Sequence, residues 1–95
     1  MITRINEFES APGEAMTLEV FLINLQRHIS TSFGCESCEV LKQPDSDGAF
    51  VVIERWQSEA AHKASLASFP AEQMQAAMKL FGAPPRGAYY VECGD

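Results

Sequence analysis

AFVVIERWQSEAAHKASLASF, residues Ala49 to Phe69, changes character once, and the change decides how the chain is read. Phe50, Val51, Val52 and Ile53 are apolar in succession. Ala49 to Trp56 is therefore expected as a strand dry on both faces, since a strand with one wet face would alternate. Gln57 is a hinge. Ser58 then suits the start of a helix, because its hydroxyl accepts a backbone N–H that the first turn leaves unpaired. Glu54, Arg55, Trp56 and, further along, His62 collect polar and aromatic chemistry at this strand-to-helix corner. A candidate site opens there.

Upstream, Glu36 to Gln43 reads as a second strand, joined to the first by the turn-forming Pro44-Asp45-Ser46-Asp47-Gly48. Ile2 to Phe8 alternates loosely, with Ile2, Arg4, Asn6 and Phe8 on one face, and stops at Ser10-Ala11-Pro12-Gly13. From Glu14 to Phe33 the apolar spacing is helical: Leu18, Phe21, Leu22, Leu25 and Ile29 recur at three- and four-residue steps, and Gly34 can close the helix. Downstream, the Ser58–Ser68 helix breaks at Phe69-Pro70, and Ala71 to Phe81 follows with an apolar stripe of Met74, Ala77, Met78 and Phe81. Arg86 to Cys93 is the last strand.

The order β-α-β-β-α-β predicts an α+β, ferredoxin-like fold. Right-handed crossovers put both helical segments on one face of a four-stranded antiparallel sheet. The other face, crossed by an apolar strand, needs a cover, and a second copy of the sheet is the simplest. A homodimer is expected.

The 95 residues suit a single domain, residues 1–95, because smaller pieces would not bury a core. A net charge of −6 with seven scattered basic residues argues against nucleic acid or an anionic membrane as partner. No run approaches the ~18 apolar residues of a membrane span. The start MITRINEFES lacks the marks of a signal peptide, so a cytoplasmic protein is expected. Three cysteines, Cys35, Cys38 and Cys93, favour free thiols. Cys35-Glu-Ser-Cys38 has redox-pair spacing, but it follows a helix instead of opening one, and no second pair completes a zinc site. Both are read as buried or half-buried thiols, with no metal and no cofactor expected.

The chain resembles the antibiotic biosynthesis monooxygenase domains of the dimeric α+β barrel superfamily. The resemblance is carried by the first strand running to Pro12-Gly13, by Gly34-Cys35, by Glu54-Arg55-Trp56 followed by Ser58-Glu59-Ala60-Ala61, and by Leu66-Ala67-Ser68. It implies a cofactor-independent monooxygenase that oxidises a small quinol or polyphenol with O₂, the electron-rich substrate anion itself passing an electron to oxygen. Such a protein must deprotonate its substrate, keep it dry and stabilise the developing charge. The catalytic candidates are His62 as base, Trp56 as wall and N–H donor, and Asn6 as hydrogen-bond donor to a carbonyl or peroxide oxygen. The family's usual helix histidine falls at Ser65 here. Haem degradation is disfavoured, since its helix tryptophan and histidine are missing.

Each candidate has a structural alternative. Trp56 packs a corner, His62 is a half-exposed helix residue, Asn6 satisfies a strand-edge group, and His28 is a surface residue favoured by the helix dipole. The alternative functions are a non-catalytic module that binds a small aromatic molecule and a dimerisation module filled by its own side chains.

Overall fold

The computed structural model describes residues 1–94. Four strands, β1 (Ile2–Glu9), β2 (Cys35–Lys42), β3 (Ala49–Trp56) and β4 (Arg86–Tyr90), form one antiparallel sheet in the order β2-β3-β1-β4. Three helices, α1 (Ala15–Ser30), α2 (Glu59–Ser68) and α3 (Ala71–Ala77), connect them. This is the expected ferredoxin-like plan. Among the described residues no helix is long and apolar enough to cross a membrane.

The register β1–β3 pairs Ile2 with Trp56, Arg4 with Glu54, Asn6 with Val52 and Phe8 with Phe50. Side chains alternate across a sheet, so these eight share the face on which the helices lie. Leu18, Leu22, Leu25 and Ile29 of α1 meet Phe50, Val52 and Trp56 there and are buried with them. The opposite face carries Ile5, Val51 and Ile53, half-buried, ringed by charged and polar residues such as Glu7, Arg55 and Arg86.

Most boundaries shift by a residue at most, and three move further. α1 stops at Ser30, short of Phe33, because the hydroxyls of Thr31 and Ser32 both donate to the His28 carbonyl, at 3.0 and 2.9 Å, and take over its last turn. Phe33 is left exposed. α3 tightens into a 3₁₀ turn over Met78–Leu80, so the inward residue after Ala77 comes three positions on. Leu80 is buried, and Met78, expected in the core stripe, is 64% exposed. β4 ends at Tyr90, short of Cys93, its last pair with β1 being Tyr90 with Thr3.

Gly34 sets the corner that the site needs. Its φ is +85°, and a Cβ there would lie 2.6 Å from that of Ala61, so only glycine lets this turn approach α2 so closely. Its carbonyl accepts the Gln57 N–H at 2.8 Å, which ties the end of β3 to the same turn.

Candidate functional site

Between sheet and helices lies a cavity of about 190 Å³. Phe8, Phe21, Leu25, Ile29, Leu66, Phe69, Met74 and Phe81 make its apolar wall, while Arg4, Asn6, Glu54 and His62 make a polar end. A hollow of about 990 Å³ lies elsewhere, at the β2–β3 loop. It is a shallow depression without converging buried polar groups, so the smaller, deeper cavity is the candidate site.

The polar end is built around Glu54, 2% exposed. Its Oε1 accepts the indole N–H of Trp56 at 2.9 Å and its Oε2 the amide of Asn6 at 3.0 Å. Burial pushes its carboxyl above the ordinary carboxylate range, and the two N–H donors and the Arg4 charge offset part of that rise. His62, 7% exposed, places Nε2 3.8 Å from Glu54 Oε1. Its pKa is lowered by burial first and then by the Arg4 and Lys63 charges. Burial thus works against the charged form of each group. His62 Nδ1 shares a 2.6 Å hydrogen bond with the Tyr89 hydroxyl. The ring stands edge-on to both Trp56 and Tyr89, with centroids 5.6 and 5.4 Å away.

The three sequence candidates therefore converge, though on different terms. His62 and Asn6 line the cavity. Trp56 is fully buried behind the wall and spends its N–H on Glu54. Arg4 and Tyr89 escaped the sequence reading as site residues, and Glu54 was placed at the corner without a role. Arg4 lies over the Tyr89 ring, 4.6 Å from its centroid, and donates through Nε to Asn6 Oδ1 at 3.2 Å. Its signal was its place on the same strand face as Asn6. Glu54 had the corresponding signal, an even position among the inward residues of β3. Tyr89 had none, since β4 shows no clear alternation.

His28 is not the surface residue expected. It lines the opposite end of the cavity, with Nε2 3.0 Å from both the Ser65 carbonyl and Ser68 Oγ, and its ring packs edge-on against Phe69. The cause is at the end of α2, where the Ser65 carbonyl is one of those a last turn leaves unpaired and His28 supplies a donor. The spacing Phe21, Leu25, His28 put it on the inner stripe of α1. An imidazole therefore stands beside Ser65, contributed by α1 instead of α2.

Cys35 and Cys38 offer no nucleophile. Burial, with the Glu54 charge second, raises Cys35 and pushes Cys38 up to about 12, so both thiols stay protonated. Among the described residues no three His, Cys, Asp or Glu side chains converge so as to hold a metal ion.

The family model for antibiotic biosynthesis monooxygenases matches residues 1–80. The chain belongs to that family. No curated protein sequence matches it. Solved structures similar to this family member include PA3566 of Pseudomonas aeruginosa, with 20% identity, TM-score 0.89, and 98% and 94% of the two chains covered. Rv0793 of Mycobacterium tuberculosis gives 20%, 0.86, and 99% and 96%. A variant of SnoaB, a cofactor-independent oxygenase from Streptomyces nogalater, gives 18%, 0.81, and 99% and 94%. At such identities the likeness establishes the fold.

Proposed function

We propose that this family member is a monooxygenase that oxidises a small quinol or phenol with O₂ and without a bound cofactor. One observation carries the reading: a buried, neutral imidazole and an amide donor meet at the end of an otherwise apolar cavity. His62 Nδ1–H donates to the Tyr89 oxygen, which leaves Nε2 free to take the phenolic proton. The imidazolium then lies beside Glu54, whose carboxylate form it stabilises. Deprotonation makes the ring electron-rich enough to reduce O₂ by one electron, and the radical pair combines through a C–O bond. The apolar wall keeps water from the intermediates, and the second N–H of the Asn6 amide, the one not bonded to Glu54, donates to the peroxide oxygen. For a hydroquinone the balance is one quinol and one O₂ to one hydroxyquinone and one water. One oxygen atom enters the ring, the other leaves as water, and the substrate supplies all the electrons.

The test is oxygen uptake with reduced quinols, corrected for autoxidation. Saturable uptake that disappears in His62→Ala supports the reading, and uptake unchanged in that variant removes His62 from the mechanism. Ser65 at the family's usual histidine position favours a second reading, in which the cavity only binds an aromatic molecule. Ligand binding without uptake in the unaltered protein would select it. In either case the half-buried Ile5, Val51 and Ile53 are proposed to be covered by the sheet of a second copy.

A further inference from the structure

Arg4 is held more firmly than a surface arginine. Its Nε is bonded to Asn6, its plane lies on Tyr89, and the absence of a side chain at Gly87 makes room for it, since a Cβ there would collide with the guanidinium. Yet among the described residues no carboxylate lies within ion-pair distance of it. Its register partner Glu54 has turned to Trp56 and Asn6 instead. An always-charged, half-buried guanidinium on the wall of an apolar cavity lacks its natural complement, and the complement of its planar fork is a carboxylate. A phenol does not serve, because it arrives neutral and His62 already faces the position where it would ionise.

Volume limits the rest of the ligand. A dry cavity of about 150 Å³ takes one benzene ring, and this one measures about 190 Å³. One ring with a few substituent atoms fits, and a fused three-ring phenol does not.

We propose that the site takes a single-ring hydroxyaryl carboxylate, with Arg4 receiving the carboxylate and the His62–Asn6 end receiving the phenolic oxygen. The inference rests on the reading of this cavity as the substrate site. It divides the labour in the cavity: Arg4 determines which phenol enters, and His62 acts on it.

The test is calorimetric titration under nitrogen with 4-hydroxybenzoate and with its neutral isostere 4-hydroxybenzamide. The acid is expected to bind more tightly. Arg4→Gln should remove that preference by lowering affinity for the acid about ten- to hundredfold more than affinity for the amide, the worth of a charged hydrogen-bonded pair. Arg4→Lys keeps the charge without the fork and should retain part of the preference, which separates recognition from a folding defect. Equal binding of acid and amide by the unaltered protein overturns the proposal. So does a preference that survives in Arg4→Gln, or binding of a three-ring phenol in place of both probes. Oxygen uptake with 2,5-dihydroxybenzoate separates the two readings. Arg4-dependent binding without uptake keeps this inference and removes the oxygenase, whereas His62-dependent uptake of neutral quinols, indifferent to Arg4, does the reverse.

Discussion

Asn6, Glu54 and Trp56 satisfy one another, with His62 within reach, so removing one member leaves a buried partner exposed to its full desolvation cost. Trp56→Phe keeps the ring and deletes the N–H that Glu54 Oε1 accepts. The expected loss is about 1–3 kcal/mol, the usual cost of an unsatisfied buried acceptor, read from urea unfolding. Titration carries two further expectations. The folded pKa of His62 lies below 6.5, and in the proposed reaction neutral imidazole is the working form. A profile of kcat/KM against pH should therefore hold its value around neutrality and lose activity as pH falls through that lowered value. An acid limb above 6.5 would assign it to another group. Glu54 has the opposite sign, with a folded pKa above 4.5. Its favourable contribution to stability is full below 4.5 and is lost as pH rises through the raised value. The unfolding free energy of the unaltered protein should thus fall relative to that of Glu54→Gln as pH rises from 4.5 through the raised value. Parallel profiles would show that Glu54 titrates normally.

Among the elements, α2 is the ten-residue helix that carries His62. Its start depends on Ser58, whose hydroxyl accepts the Ala61 N–H at 3.1 Å. Ser58→Ala should cost about 1 kcal/mol, and Ser58→Asp should restore it, since both serine and aspartate cap well. Thermal unfolding reads the stability, and the same variants should lower turnover only as far as they unhinge His62. The capping signal was open to sequence reading because it is local: a hydroxyl, a fixed spacing and a following helical pattern. The same holds for the leucine stripe of α1. The 3₁₀ turn at Met78–Leu80 was not open to it, since the tightening comes from ties elsewhere. The Ala11 N–H donates to the Leu80 carbonyl at 2.7 Å, and Phe81 packs on Phe8 at 5.6 Å.

For the whole molecule the open sheet face is the main issue. Ile5, Val51 and Ile53 lie together on it with Leu41 and Tyr90, which are 46% and 52% exposed. A patch of this kind is seldom left to water in a small domain. Ile53→Glu is expected to convert a dimer into monomers by placing a charge at the centre of that face, as read by sedimentation velocity. A monomer in the unaltered protein would overturn the pairing.

From its sequence alone this chain determined the order of elements, the helical stripe of α1, the cap of α2 and membership of a ferredoxin-like plan, because periodicity and turn chemistry act over neighbouring residues. It also placed Asn6, Trp56 and His62 as candidates. Only the tertiary structure decided what they do together. Asn6 and Glu54 are 48 positions apart, and His62 and Tyr89 are 27 apart. Register between β1, β3 and β4 brings them within hydrogen-bond distance, and no local pattern encodes register. Burial turned Trp56 from a cavity wall into a support for Glu54 on the same strand, and the packing of α1 against α2 set His28 at the end of α2. The strand pairing also left Arg4 on the cavity wall with no carboxylate within ion-pair distance among the described residues.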